Sequence, residues 1–281
     1  MKPGTPPLVK QLIDIALEED LGRGDVTTSL CVPENATALG RVIAKDDLIV
    51  SGLDLFIEVM HSVDPSIIVK STIEEGMAVK TNKEMALLSG KAASLLMAER
   101  VALNFLQRLC GTATLTDRYV KEARGTGIRL ADTRKTTPGM RYLERRAVIA
   151  GGGANHRVDL GGGILIKENH IEAAGSIENA VKLCKENGPH PLKIEIEVTN
   201  QDELKRAITA GADIVMLDNM TPDEIKESIK IADGRVVLEA SGGINLKTVG
   251  AFAKTGVDII SVGAFTHSAP CSDISFLISM I

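Results

Sequence analysis

Gly211-Ala-Asp-Ile-Val-Met-Leu-Asp218-Asn219 and Gly256-Val-Asp-Ile-Ile-Ser-Val-Gly263 are two copies of one helix-to-strand turn. Each opens on a glycine, the residue that most easily ends a helix in the left-handed conformation. Each then enters an apolar, β-branched run and leaves it on polar or small residues. The pattern extends in both directions. Candidate strands fall at Ile128–Ala131, Ile164–Ile166, Ile194–Val198, Ile214–Leu217, Val236–Ala240 and Ile259–Val262. From Ile194 onward they recur about every 20 residues, the length of a compact strand–helix unit. The intervening segments carry helix punctuation. Thr221, Pro222 and Glu224 supply an N-cap, a first-turn proline and a capping-box acid. Asn200 with Glu203 is a similar start, and Gly188, Gly211, Gly234 and Gly256 stand at helix ends. Parallel strands joined by crossover helices need both faces covered, which leaves a doubly wound sheet or a barrel. Polar residues gather at the C-terminal end of every strand, where barrel active sites lie. An α/β barrel, incomplete because six strands are present instead of eight, is therefore expected.

The N-terminal part reads differently. Leu8, Val9, Leu12, Ile13, Ala16 and Leu17 keep helical spacing until Gly22, Gly24 and Asp25 break it. Short β-rich runs follow at Gly40–Ala44, Ile67–Lys70 and Met85–Leu88, and a long amphipathic helix at about Ala92–Leu109. The expectation is an N-terminal α/β sandwich domain over 1–111 and a barrel catalytic domain over 112–269. The tail, about 270–281, is free to pack back on the sandwich.

The formal net charge of −5 speaks against a general nucleic-acid binder. It does not forbid a local basic pocket. With no Trp and only five Phe, aliphatic residues must fill the core. Cys31, Cys110, Cys184 and Cys271 lack metal-ligand spacing, and the expectation is free thiols in a reducing cytoplasm. The first ten residues lack the apolar stretch of a signal peptide, and no apolar run is long enough to span a bilayer.

Chemistry concentrates at the strand ends. Strand one is followed by Asp132, Thr133, Arg134 and Lys135. Gly151-Gly-Gly-Ala-Asn-His156-Arg157 precedes strand two, which ends at Lys167. A single Arg or Lys is ordinarily a solvated surface charge. Arg134, Lys135, Arg157 and Lys167 at the ends of buried strands, with His156, instead form a set that would converge on a multiply charged anion. Ser241-Gly242-Gly243 and Gly263-Ala264 follow the last two strands, where barrels often bind phosphate through backbone N–H groups. His267 lies close behind. Glu197 and Asp218 end neighbouring strands. They could hold ribose hydroxyls or Mg²⁺, or balance the nearby lysines.

Together these segments resemble the quinolinate phosphoribosyltransferase family (nicotinate-nucleotide pyrophosphorylase, carboxylating). The resemblance covers nearly the whole chain. It rests on Glu19-Asp-Leu-Gly-Arg-Gly-Asp-Val-Thr-Thr, Ala98-Glu-Arg-Val-Ala-Leu-Asn, Asp132-Thr-Arg-Lys-Thr-Thr-Pro-Gly and Gly151-Gly-Gly-Ala-Asn-His-Arg. Leu165-Ile-Lys-Glu-Asn-His, Leu217-Asp-Asn, Ala240-Ser-Gly-Gly-Ile and Ser261-Val-Gly-Ala complete it. It implies a sandwich domain plus a six-stranded incomplete barrel, and a homodimer, open to higher assembly, in which Arg100 crosses to the partner's pocket. The implied reaction is de novo NAD biosynthesis chemistry: quinolinate and phosphoribosyl pyrophosphate (PRPP), with Mg²⁺, give nicotinate mononucleotide, pyrophosphate and CO₂. By the same resemblance Arg134, His156, Arg157 and Lys167, with Arg100, would take quinolinate. Thr133 and His267 would also line the substrate site, and Lys135 would lie between substrate and PRPP. Glu197 and Asp218 would hold ribose or Mg²⁺, with Lys135 the catalytic set. Ser241, Gly242, Gly243, Gly263 and Ala264 would cradle a phosphate.

Three stretches depart from the family's usual pattern. Val158-Asp159-Leu160-Gly161-Gly162-Gly163 brings an added acid and a glycine run beside the substrate loop. Glu144-Arg145-Arg146 and Val198-Thr199 differ as well. A paralogous group found with molybdate transporters shares the fold, but the intact 132–138 and 155–157 segments weigh against it. Two other classes fit parts of the pattern. A Schiff-base aldolase would use Lys167 as nucleophile, which requires an apolar or cationic setting for that amine. A non-catalytic anion-binding protein would need the cations but not Glu197 and Asp218.

Overall fold

A computed structural model describes residues 5–71 and 73–281; the first four residues of the segment read for a signal peptide lie outside them. In chain order the elements are α1 (Pro7–Leu21), α2 (Val26–Cys31), β1 (Thr37–Ala44), β2 (Leu48–Ile49), α3 (Leu53–Val63), β3 (Ile68–Ser71), β4 (Ala78–Val79), β5 (Glu84–Lys91) and α4 (Ala92–Glu122). Then come β6 (Arg129–Ala131), α5 (Arg141–Ala150), β7 (Ile164–Ile166), α6 (Glu168–Ala174), α7 (Ile177–Asn187), β8 (Ile194–Val198), α8 (Gln201–Ala210) and β9 (Ile214–Asp218). The chain closes with α9 (Pro222–Ala232), β10 (Val237–Ser241), α10 (Val249–Ala253), β11 (Ile259–Ser261), α11 (Ala264–His267) and β12 (Ile274–Met280). Among the described residues no helix is long and apolar enough to cross a membrane.

Two compact units result. The first takes the chain to Asp117, then 136–152 and 268–281; the second takes 118–135 and 153–267. The expected split near residue 111 differs from this in two ways. Segment 136–152 leaves the barrel portion because α5 buries Leu143 and Ala147 in the first unit's apolar core, with Leu106 and Leu109 of α4. The long helix also runs past its expected end near Leu109, to Glu122. A Cβ on Gly111 within it would lie 1.9 Å from the Pro270 carbonyl oxygen, so this glycine permits a close backbone approach. In the first unit an antiparallel sheet of order β12-β1-β5-β3 carries α3 and α4 on its apolar side. The tail strand β12 pairs with β1 from Ala44↔Ile274 to Ala38↔Met280.

The second unit holds six parallel strands in the order β6-β11-β10-β9-β8-β7. The consecutive strands β6 and β7 are thus opposite edges. In a flat sheet β8 would lie about 19 Å from β6, four spacings of roughly 4.8 Å. Yet Ala154 bridges to Ala131 of β6, and His156, two residues on, reaches both Glu195 of β8 and Glu239 of β10. The sheet is therefore curled around an interior, an open six-stranded α/β barrel. The helix starts follow the expected chemistry. Thr221 and Glu224 cap each other reciprocally, and the Asn200 side chain accepts from the Asp202 and Glu203 amides. At the helix ends Gly211, like Gly175, is a left-handed cap residue; Gly188 is extended at φ −76°, Asp233 takes the left-handed cap position ahead of Gly234, and Gly256, at φ +91°, follows the Lys254 cap.

Candidate active site

Strand residues alternate between the two faces of the sheet. On β8, Ile194, Ile196 and Val198 are buried, while Glu195 and Glu197 face the interior. Met216 and Asp218 of β9, and Glu239 and Ser241 of β10, do the same. The segments after β6 and β7 add Thr133, Arg134, Lys135 and Lys167, and the loop before β7 adds His156 and Arg157. These groups, Glu195 excepted, line one cavity of about 630 Å³ at the C-terminal ends of the strands, together with Gly242 and Gly243. The set gathered from separate strand ends is thus brought together. Gly263, Ala264 and His267 are not among the lining residues. A Cβ on Gly263 would lie 3.1 Å from the His267 ring and 3.2 Å from Lys135 Cδ, which puts this turn against Lys135. Thr266 Oγ1 also donates to the Lys135 carbonyl at 2.7 Å. Arg100 is an exposed residue of α4 in the first unit, with Glu99 at 3.9 Å.

The electrostatics are those of a site built for anions with acids beside them. Burial, and the neighbouring Arg134 charge, lower the pKa of the Arg157 guanidinium. Two cations that repel across a pocket gain from a dianion placed between them. Arg157 Nη1 is oriented by the Gly163 carbonyl at 3.0 Å. Lys167 forms an ion pair with Glu197, unlike the apolar setting of a Schiff-base lysine. Burial, then the charge of Glu197, raise the Asp218 carboxyl. Asn219, at φ +56°, donates from Nδ2 to Asp218 at 2.7 Å and from its backbone to the Ser241 carbonyl at 2.9 Å. Gly242 at φ +92° and Gly243 at φ +65° form the turn beneath.

A group that strand-end reading did not assign lies deeper. His156 Nε2 is 3.2 Å from Glu195 and 3.6 Å from Glu239, both carboxylates buried. The pair raises the imidazole to about 10, Glu195 contributing most. Burial in turn raises Glu195. The three ligand atoms lie within 4.8 Å of one another, close enough to hold a cation. The ring's other nitrogen argues otherwise. In either charge state Nε2 carries a proton: the charged ring that the carboxylates favour is protonated at both nitrogens, and the neutral ring, whose Nδ1 accepts the Arg157 amide at 2.7 Å, keeps its proton on Nε2, so no lone pair is left there for a metal. The departures also find places. Asp159 accepts the Gly161 amide at 2.9 Å and is not among the cavity's lining residues. Thr199, just ahead of the Asn200 cap of α8, donates its amide to Glu203, and Glu144 is buried under Arg108 and Thr137.

An open α/β barrel with a cationic, acid-flanked pocket at its strand ends defines an enzyme class that handles multiply charged anions. The chain matches the family described as Quinolinate phosphoribosyl transferase, N-terminal domain, over residues 25–110, and the C-terminal domain over residues 112–277. It is 40% identical over 272 residues to a probable nicotinate-nucleotide pyrophosphorylase (carboxylating) of Bacillus subtilis, covering 97% of this chain and 94% of that one. It is 41% identical over 266 residues to the protein of the same name in Synechocystis, covering 93% and 90%. The solved nicotinate-nucleotide pyrophosphorylase of Francisella tularensis superposes with a TM-score of 0.94 at 42% identity, with 98% of each chain covered. NadC of Streptococcus pyogenes does so at 0.95 and 34%, with 100% of each chain covered. The chain belongs to the quinolinate phosphoribosyl transferase family.

Proposed function

We propose that this protein transfers the phosphoribosyl group of PRPP to quinolinate, with loss of one carboxylate as CO₂, giving nicotinate mononucleotide and pyrophosphate. The observation that carries the reading is the convergence of Arg134, Arg157 and Lys167 with Glu197 and Asp218 in one cavity. The cations match a 2,3-dicarboxylate. The acids, in this reading, would face the ribose, where positive charge develops. In this reading Arg134, His156, Arg157 and Lys167, beside Thr133, take quinolinate, and Lys135 sits between it and PRPP. The turn at Ser241, Gly242 and Gly243, with Gly263, Ala264 and His267 beyond it, takes a phosphate.

The pyridine nitrogen attacks ribose C1 as the C1–O bond to pyrophosphate breaks. Its lone pair forms the new bond, and the departing oxygen keeps the old pair. No protein nucleophile is needed; fixed charges and orientation lower the barrier. As CO₂ departs, the electron pair of the broken bond stays on C2, stabilised by the adjacent positive ring nitrogen, and C2 then takes a proton from water. Glu197 and Asp218 are hard oxygen donors, and the Asp218 carboxyl, raised by burial and by Glu197, would gain from a cation beside it. They therefore fit Mg²⁺, which when bound would neutralise phosphate charge. The same reading makes the protein a cytoplasmic homodimer, with Arg100 donated from one copy to the other's pocket. The free and exposed Cys31 and Cys271 suit a reducing compartment.

The test is turnover of purified protein with quinolinate, PRPP and Mg²⁺, following nicotinate mononucleotide and CO₂. Product should form, and be lost in Arg134→Ala. Asp218→Ala should abolish turnover while quinolinate still binds. Absence of product from folded wild-type protein would overturn the assignment.

A further inference from the structure

Two buried carboxylates in the barrel interior have no part in the reaction as written above. Glu195 and Glu239 are 5% and 1% exposed, and Oε1 of each takes no hydrogen bond from the described residues. Their charges work against each other, so folding alone would favour an apolar residue at either place. What they do hold is one ring. His156 faces Glu195 Oε2 at 3.2 Å and Glu239 Oε2 at 3.6 Å. Its opposite nitrogen takes the Arg157 amide at 2.7 Å, and its own amide donates to the fully buried Asp132 at 2.7 Å. The ring is thus gripped at both nitrogens and at its backbone. The grip ends on the main chain of Arg157, one of the pocket's cations.

We propose that Glu195 and Glu239 are positioning residues: by holding Nε2 of His156 they lock the ring, and through Nδ1 the Arg157 backbone, in the geometry that receives the substrate dianion. Glu195, the nearer acid, carries most of the hold. The cost of two buried like charges is accepted in exchange for a fixed substrate loop. A cation at the same three groups is the competing use, and the Nε2–H of the ring disfavours it. This inference rests on the quinolinate reading, and the experiment separates the two.

Glu195→Leu removes the nearer acceptor and one of two repelling charges, whereas Glu195→Gln keeps an acceptor of the same shape. Three readouts are taken on the full chain: Tm, the separate KM values for quinolinate and PRPP, and deuterium uptake of a peptide spanning residues 153–163. The Leu variant should unfold no earlier than wild type. Its quinolinate KM should rise on the order of 10- to 100-fold, as expected for a displaced binding group. Its KM for PRPP should stay put, and its 153–163 amides should exchange faster. The Gln variant should restore slow exchange and a near wild-type quinolinate KM. Unchanged exchange in the Leu variant would overturn the proposal. So would a lower Tm with both KM values raised together, which marks a merely structural role. If wild-type protein makes no product, the quinolinate reading fails while the exchange comparison still decides whether the clamp exists.

Discussion

The turn at Gly242–Gly243 allows a sharp test, because only one of its two glycines has a neighbour in the space a Cβ would take. Both are left-handed, at φ +92° and +65°. An alanine forced into that region costs about 1–2 kcal/mol. At Gly243 nothing lies within 4 Å of a new Cβ, so that is the whole cost. At Gly242 the Cβ would meet Asn219 Oδ1 at 2.3 Å, its Cγ at 2.7 Å and its backbone nitrogen at 2.9 Å. The backbone nitrogen cannot be avoided by turning a side chain. Moving the Asn219 side chain gives up its bond to the Asp218 carboxylate, worth about 1.5–3 kcal/mol for a charged partner. The difference between the two variants is then about 2–3 kcal/mol, or roughly 30- to 150-fold in kcat/KM at 1.36 kcal/mol per decade. The assay is turnover with PRPP varied at saturating quinolinate, with thermal unfolding alongside. Gly243→Ala should lose less than Gly242→Ala in the two readouts taken together. Gly242→Ala should lose kcat/KM for PRPP or Tm, or share the loss between them. Indistinguishable behaviour of the two variants in both readouts would refute the reasoning.

Two further outcomes bear on the first unit. Burial pushes the Cys110 thiol from 9.0 up to about 12. The unfolded chain therefore loses this proton first, and stability should fall by about 1.4 kcal/mol per pH unit between those values. The contribution is fully present below pH 9, and the slope should flatten in Cys110→Ala when denaturant midpoints are compared. Glu144 is fully buried and accepts from Arg108 Nη2 at 2.7 Å and from Thr137 Oγ1 at 2.8 Å. Glu144→Ala leaves the Arg108 charge without this partner and should cost about 3–5 kcal/mol by chemical unfolding; a change below 1 kcal/mol, as for a ~1 kcal/mol surface pair, would contradict that.

Much of the second unit was legible because local rules agree there. The apolar, β-branched runs, the capping box at Thr221 and the glycine at Gly211 each point to the same strand–helix repeat, and the six strands lie within a residue or two of their expected places. The site was legible to the same depth. Arg134, Lys167, Glu197 and Asp218 end strands, and strand ends converge in any parallel barrel. Glu195 and Glu239 were not assigned for a related reason. They stand within strands, where a lone acid carries no mark of what it faces, and the same i, i+2 alternation that aims Glu197 at the pocket aims Glu195 beneath it.

The sequence by itself determined the strand–helix alternation, the barrel class, the cationic strand ends and the family, since each rests on short-range periodicity or on contiguous motifs. Only the tertiary structure decided that α4 runs through Gly111, that α5 leaves the barrel for the other unit's core, and that one histidine ties β8 and β10 to the loop before β7. Those facts depend on which surfaces meet across long stretches of chain. A glycine that ends a helix and a glycine that admits a passing carbonyl are the same letter, and only the neighbour brought by folding tells them apart.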